Sequence, residues 1–393
     1  MIGVGASGPL GRDPGPSADD RATERECWIA LSLLPGIGPV GFARLIRRHG
    51  TAAGAWAAGP DAIRELARLA EDEMPSFESM GRARPRELAR RVQRLTDAAG
   101  GRVVTALDDD YPAALHNLDP RPPTLYLAGN AAAFRERAVA IVGTRRASGY
   151  GLSVTTELAS ELAAAGVVVV SGLALGIDGA AHRAAVDAGR PTVAVLPSPL
   201  DRIYPPRHRP LARHILATGG ALVTEVPTGA RVGKPDFARR NRVIAGLAEA
   251  VVVVEAPDRS GALLTAAAAA ATGRELYAVP GPIDAMASRG CNRLIADHQA
   301  EIVTSTASLL RQIGFDRGER PPAVAALSEV EGQLLRRLQE RSGSIEELVD
   351  RSGHPPAAVA SALALLEARG LVNPFGGATF HLTLAAKRLV GVL

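Results

Sequence analysis

The sequence predicts an α/β protein: a Rossmann-like, doubly wound parallel sheet in mid-chain, with a helical domain before it and a winged-helix-like domain after it. Three observations predict this. Between residues 139 and 279, short apolar runs without polar alternation are separated by helical stretches, as buried parallel strands require. Residues 24–99 show helical spacing instead, and residues 328–393 read as three helices followed by a hairpin. At 393 residues the chain is also too long for one ordinary core.

From the start, Met1 to Glu24 is rich in Gly, Pro and Asp without an apolar core. It predicts neither a signal peptide nor a stable helix, so residues 1–23 are expected to be a disordered leader. Residues 24–104 form the helical domain. Trp28, Ile29, Leu31 and Leu34 precede Pro35-Gly36-Ile37-Gly38-Pro39, and Phe42, Leu45 and Ile46 follow at helical spacing. Further helical pieces fall at 60–71 and 85–99, with a loop over Glu71–Pro85 between them. The core, residues 105–315, has strands at Val139–Val142, Val167–Val170, Thr192–Leu196, Ala221–Thr224, Ala250–Val254 and Leu276–Val279. Helices are expected between them at 151–165, 179–188, 209–218, 239–248 and 262–272. Right-handed crossovers then build a doubly wound sheet. Residues 316–327 read as a linker. The tail, 328–393, predicts helices near 328–341, 344–351 and 356–369, then a hairpin from Gly370-Leu371-Val372 through a Gly376-Gly377 turn to Thr379–Leu382.

Hydrophobic residues at 47% and charged residues at 22% exclude wholesale disorder and collagen-like structure. Aromatic residues are only 4%, so Ala, Val and Leu must build most of the core. The positive charge is nearly all arginine, Lys234 and Lys387 being the only lysines. Genome base composition explains that bias; arginine forks for phosphate are the sharper alternative. The net charge of +4 is small, and its placement says more. Residues 1–119 carry 15 basic and 17 acidic side chains, residues 120–315 carry 21 and 15, and residues 328–393 carry 7 of each. An anionic partner therefore belongs to the middle of the chain. Cys27 and Cys291 lie far apart without metal-ligand spacing, which argues against a disulfide scaffold or a zinc site. No run of 18 apolar residues occurs, and a soluble, cytoplasmic protein is expected.

Two G-x-G-x-x-G matches occur, at Gly3–Gly8 and Gly36–Gly41, and neither follows a strand. A dinucleotide fingerprint needs strand–turn–helix geometry to aim helix amides at a pyrophosphate. The second match instead fits a helix-hairpin-helix, whose glycines let turn amides approach a DNA phosphate. A tight turn without a ligand is the alternative. Val40 stands where a basic residue would strengthen the DNA reading, although Arg44, Arg47 and Arg48 follow.

The strand ends of the core are more specific, because ligands of open α/β sheets bind beyond the carboxyl ends of the strands. After the first strand comes Gly143-Thr144-Arg145-Arg146, and after the second Ser171-Gly172-Leu173-Ala174. After the fourth, a loop runs through Arg231 and Lys234 to Phe237-Ala238-Arg239-Arg240-Asn241-Arg242. After the fifth comes Glu255-Ala256-Pro257-Asp258-Arg259-Ser260-Gly261. Small residues let amides reach phosphate oxygens, and arginines add charge and bidentate hydrogen bonds. One such loop is ordinary strand–helix packing; four in the only positively charged domain point to a phosphate-rich ligand. Catalysis has no comparable signature. Asp178 and His182 lie one helical turn apart and suit either an acid–base pair or a capped, packed helix, and no third member is evident. Ser171 and Ser260 lack a nucleophile elbow, and Glu255 and Asp258 are too isolated to suggest a metal.

At this point a resemblance to a known family is visible. Ile141-Val142-Gly143-Thr144-Arg145, Ser171-Gly172-Leu173-Ala174 with Gly176-Ile177-Asp178 and Ala181-His182, and Arg240-Asn241-Arg242 with Ile244-Ala245-Gly246-Leu247 stand in family order. Ser260-Gly261 with Thr265-Ala266, Val279-Pro280-Gly281 and Asn292-Arg293-Leu294-Ile295 complete the series. Together they resemble the DprA/Smf family, bacterial DNA-processing proteins of natural transformation, strongly over residues 105–305. The resemblance implies a DNA-binding protein rather than an enzyme. It would bind incoming single-stranded DNA, protect it, help load the RecA recombinase, and dimerise through the Rossmann-like core, without cofactor or metal. Carried over by motif, Gly143, Thr144 and Arg145 would line the pocket with Ser171 and Gly172. Arg240, Asn241 and Arg242 would form its basic wall, and Ser260 and Gly261 would add small donors. Lys234 and Phe237, on the preceding loop, offer a cation and a stacking ring suited to single strands.

Some positions depart from the family pattern. Pro197-Ser198-Pro199 replaces a usual Gly-Cys-Gly turn, Ala238 a Pro, Cys291 a Thr and Gln299 a Gly. The prolines restrict the backbone of the 197–205 loop where glycine would not. In the tail, helix 356–369 has only Glu367 and Arg369 as charged residues. A helix reading base edges needs Arg, Lys, Asn or Gln, so this module is expected to be a protein-contact or weak accessory element. The rival enzyme reading is a nucleotide phosphoribohydrolase of the lysine-decarboxylase-like family. Its signature is Pro-Gly-Gly-x-Gly-Thr-x-x-Glu, whereas this chain has Ser260-Gly261-Ala262-Leu263-Leu264-Thr265 with no following glutamate.

Overall fold

The computed structural model describes residues 18–67, 83–315, 327–369, 371–375, 379–382 and Ala386. The first G-x-G-x-x-G, most of the expected leader, most of the 71–85 loop, nearly all of the linker and the Gly376-Gly377 turn lie outside the described residues. Contacts divide the chain into two compact units, one comprising Met1–Ala128, Ser198–Arg202 and Val223–Val232 and the other the remainder.

The smaller unit contains helices Ala18–Leu33, Pro39–His49, Ala52–Ala57, Gly59–Ala67 and Pro85–Ala98. The first begins inside the segment expected to hold no stable helix. Residues 18–24 contain no Gly or Pro, so nothing local stops the apolar-faced helix from extending toward its N-terminus. Trp28, Leu31, Leu34, Phe42, Leu45 and Ile63 share one core. The Trp28 and Phe42 rings meet tilted, 4.8 Å apart, which fixes how the first two helices pack. Pro39 opens the second helix, where its missing N–H leaves no bond unmade. A hairpin pairs β1 (Gly101–Thr105) antiparallel with β2 (Thr124–Gly129) in the register Gly101↔Ala128 to Thr105↔Thr124. Because this ladder ties residues 124–128 to 101–105, the contact boundary falls after Ala128 rather than near residue 105.

The next strands are β3 (Ala138–Val142), β4 (Val168–Ser171), β5 (Thr192–Val195), β6 (Ala221–Thr224), β7 (Ala250–Val253), β8 (Glu275–Ala278) and β9 (Glu301–Ile302). Their order is β6-β5-β4-β3-β7-β8-β9. The pairs β3–β4, β3–β7, β4–β5, β7–β8 and β8–β9 are parallel. Val139, Ile141, Val169, Val252 and Tyr277 share a core with helices Gly149–Ala164 and Ile177–Asp187. Alternate residues of the same strands face the opposite side. Helices Lys234–Leu247 and Gly261–Ala271 pack on each other and on these strands. Both faces are thus covered, which explains why the strands read as uninterrupted apolar runs.

The tail has helices Glu329–Glu340, Ile345–Ser352 and Pro356–Ala368. Beside them lies a small sheet of β10 (Gly343–Ser344), β11 (Val372–Phe375) and β12 (Thr379–Leu382) in the order β10-β12-β11. Ser328 with Glu331 and Ser344 with Glu347 form capping boxes that set the first two helix starts. No helix among the described residues is long and apolar enough to cross a membrane.

Candidate nucleic-acid interface

The site follows from strand order. β3 and β7 are neighbours, but the chain leaves β3 toward β4 and leaves β7 toward β8, on opposite sides. Such a switch point keeps the two departing loops apart and opens a crevice beyond the strand ends. A cavity of about 420 Å³ lies there. It is lined by Gly143, Thr144, Arg145 and Arg146 after β3, and by Pro257, Arg259, Ser260 and Gly261 after β7. Lys234, Phe237, Ala238, Arg240 and Asn241 of one helix close another side, with Ala174 and Asp178 adjoining.

Each wall has a local cause. The Thr144 amide donates to the Glu255 carbonyl at 2.7 Å and the Val254 amide to the Val142 carbonyl at 3.0 Å, so the β3–β7 ladder runs on to the cavity floor. Ser260 caps helix Gly261–Ala271, its hydroxyl accepting from the Ala262 amide at 3.3 Å. The Arg145 guanidinium stacks over the Phe237 ring, 5.5 Å from its centroid. Arg145, Arg146, Lys234 and Arg259 are exposed cations. Arg239, beside them, is instead paired to Asp236 at 2.7 Å.

Arg240 behaves differently. It is buried, donating from Nε to Asn241 Oδ1 at 3.0 Å and from Nη1 to the carbonyls of Val195, at 3.0 Å, and Gly172. A Cβ on Gly172 would overlap that guanidinium, which is the physical demand for glycine there. Burial lowers the Arg240 pKa; the Asp178 charge opposes this and the Arg145 charge adds to it. Asp178 is buried as well. Burial raises its pKa, and the Arg240 charge with the Ala174 and Gly172 amides counteracts this. Its carboxylate accepts from those amides, Gly172 at 3.2 Å and Ala174 at 3.4 Å, and so shapes the turn after β4.

A family model described as DNA recombination-mediator protein A matches residues 102–314. The chain belongs to the DprA/Smf family. A DprA-like N-terminal HHH domain matches residues 22–78 and a DprA winged helix domain residues 318–378. A Mycobacterium tuberculosis relative bearing the DNA processing protein DprA name is 40% identical over 373 residues, covering 90% of each chain. Protein Smf of Escherichia coli is 35% identical over 292 residues, 72% of this chain and 78% of its own. The X-ray structure of DNA processing protein A from Streptococcus pneumoniae superposes with a TM-score of 0.62 at 30% identity, over 73% of this chain and 96% of that one.

Among the residues expected at the site, Gly143, Thr144, Arg145, Lys234, Phe237, Arg240, Asn241, Ser260 and Gly261 line the cavity together. Gly172 lines a small recess beside it. Ser171 is turned inward, its hydroxyl donating to the Ile141 carbonyl at 2.6 Å. Arg242 is half-buried and off the cavity wall, because one residue of helix turns a side chain about 100° away from its neighbour. Asp178 and His182 form no couple. His182 is fully buried, with Nδ1 2.8 Å from Thr192 Oγ1, and burial pulls its pKa down to about 3. Asp258 pairs with Arg293 at 2.9 Å, and no cluster of His, Cys, Asp or Glu able to hold a metal occurs among the described residues.

Three contributors were not singled out from the sequence as parts of the site. Arg259 lies on the cavity wall, legible only as one more arginine in a strand-end loop. Glu255 is buried beneath it and binds Ser148. Tyr204 reaches the Phe237 ring from a distant loop. In the DprA-type winged helix, Arg369, the C-cap of the third helix, is paired to Glu331 at 3.2 Å, so one of the two charged residues of the 356–369 segment is already engaged.

Proposed function

We propose that this DprA/Smf protein binds single-stranded DNA by holding its phosphates in the switch-point cavity. The observation that carries this is the lining itself: Arg145, Arg146, Lys234, Arg240 and Arg259 surround about 420 Å³, against the single carboxylate of Asp178. Fixed cations over a backbone-rich floor attract phosphate whatever the sequence. Phe237 beside Arg145 adds a ring for an unpaired base, which a duplex does not offer. The contacting set is Gly143, Thr144, Arg145, Lys234, Phe237, Arg240, Asn241, Ser260 and Gly261, with Gly172, Ser171 and Arg242 acting from behind it. As the family resemblance implies, the bound strand is protected and handed to the RecA recombinase during transformation, by a homodimer formed through the core. The protein acts as a binder rather than an enzyme.

Fluorescence anisotropy with matched single- and double-stranded oligonucleotides at two salt concentrations tests the reading. Single strands should bind more tightly, and log affinity should fall with log salt at about −0.7 per phosphate captured. No strand preference together with no salt slope removes it.

A further inference from the structure

Helix Pro85–Ala98 of the smaller unit carries a concentration of positive charge that the unit itself does not answer. Residues 1–119 hold 15 basic side chains. Five of them, Arg84, Arg86, Arg90, Arg91 and Arg94, fall within residues 84–94, beside the single acid Glu87. The helix buries Leu88, Ala89, Val92 and Thr96, and all five arginines are exposed. Arg86, Arg90 and Arg94 stand four residues apart, so they form one row with about 6 Å between neighbours along the axis. Arg86 reaches Glu26 at 3.6 Å, whereas Arg84, Arg90, Arg91 and Arg94 pair with no carboxylate among the described residues. Near the other end of the helix, Thr96 Oγ1 lies 3.1 Å from Thr228 Oγ1. Arg231, also exposed, follows on that same loop.

This arrangement works against the helix's own electrostatics. Like charges four residues apart repel each other. A helix favours acids in its first turn and bases in its last. Here Arg84 is the N-cap and Arg86 lies in the first turn with Glu87, while the last turn holds Asp97 and no base. An external anion laid along the row relieves both costs. Guanidinium forks match phosphate oxygens, and a flexible polyanion can set one phosphate at each. A lipid surface fits less well, because Leu95 is the one large apolar side chain exposed on the helix. We infer that helix Pro85–Ala98, with Arg231 at its end, is a second phosphate contact that holds the backbone of a nucleic-acid strand without touching its bases. This rests on the reading of the protein as a DNA binder and adds a site outside the cavity.

The test is a salt titration of anisotropy on the full chain, with oligo-dT and an abasic strand of equal length, each about thirty nucleotides. Wild type is compared with the triple variant Arg90→Gln, Arg91→Gln, Arg94→Gln and with Arg145→Glu. If each of the three arginines takes one phosphate, the triple variant should lower the slope of log affinity against log salt by about 2 on both strands. A fourfold rise in salt then costs wild type about 18-fold more affinity than the variant. An unchanged slope overturns the proposal. So does a loss confined to oligo-dT, which would put bases rather than phosphates on the helix. Without DNA, at low salt, the triple variant should melt no lower than wild type, because repulsion along the row is relieved. A lower melting temperature, or failure to fold, makes the arginines part of the fold and overturns the proposal. Arg145→Glu separates the two sites: if it binds as tightly as wild type, the cavity reading fails while the helix contact keeps its own slope. Binding of neither strand by wild type removes both.

Discussion

Glu255, buried under the cavity, takes two hydrogen bonds from Ser148: the backbone amide reaches Oε2 at 2.9 Å and the hydroxyl reaches Oε1. A carboxylate beneath an anion site is electrostatically unfavourable for the ligand, so its presence has to be repaid structurally. It holds the loop Thr144–Ser148, which carries Arg145 and Arg146, and the Ser148 hydroxyl in turn accepts from the Gly151 amide at 3.1 Å to start the next helix. A Cβ on Gly151 would overlap the same carboxylate. Replacing Glu255 with alanine should therefore cost about 1–3 kcal/mol through unsatisfied buried donors. Chemical denaturation reads the loss, and anisotropy should show weaker DNA binding despite the removal of a negative charge.

Gly172 and Ser171 are adjacent but should respond differently. Gly172→Ala drives a methyl group into Arg240, displacing the guanidinium from the Val195 carbonyl, and should reduce both thermal stability and DNA affinity. Ser171→Ala removes only the bond to Ile141, about 0.5–1.5 kcal/mol, and should leave DNA affinity near wild type. Melting curves and anisotropy on both variants check the contrast.

Charge reversal at Arg145, an exposed cavity cation, should weaken single-strand binding and flatten the salt slope by about one phosphate contact. Arg336, exposed on a tail helix, serves as the comparison. Equal losses at the two sites would remove the case for a core pocket.

His182 sets a pH dependence. Its folded pKa, about 3, lies below the ordinary value of 6.5, chiefly through burial, with His208, Arg240 and Arg183 adding repulsion. The neutral ring is therefore the one the fold accepts, and its contribution is complete above pH 6.5. As pH falls from 6.5 toward 3 the unfolded chain gains a proton that the folded chain refuses, costing up to about 1.4 kcal/mol per pH unit. The difference in stability between wild type and His182→Gln should shrink steadily over that window in urea melts.

Cys27 and Cys291 should be inert while the chain is folded. Burial pushes their thiols up to about 11 and about 12, so almost no thiolate is present at neutral pH. Iodoacetamide should label neither residue in buffer and both in denaturant, by intact mass.

Much of the fold was legible because burial on both faces leaves a sequence signature. Ala221–Thr224 stands as expected, and the other core strands shift by a residue at most because Val and Ala runs blur their own ends. Four strands were not legible, among them β10, which is only Gly343–Ser344. β1 and β2 gain their identity from pairing with each other across an eighteen-residue excursion, and β9 is only Glu301–Ile302. The hydrogen bonds that define them are long-range, while periodicity is local.

The site divides along the same line. Sequence alone determined that small and basic residues follow four strands, and their conjunction in one positively charged domain is what ordinary strand–helix packing does not explain. It also determined the apolar tail helix and the isolation of the cysteines from any metal pattern. Only tertiary structure decided that Ser171 faces the core and that Arg242 leaves the wall. Only tertiary structure sets Arg240 deep against Gly172, puts Glu255 under Ser148 and brings Tyr204 to Phe237. A side chain's direction depends on which neighbours exclude it and which accept its hydrogen bonds, and those neighbours are set by strand order. Residue type shows what a position can do; the packing around it decides which way it points.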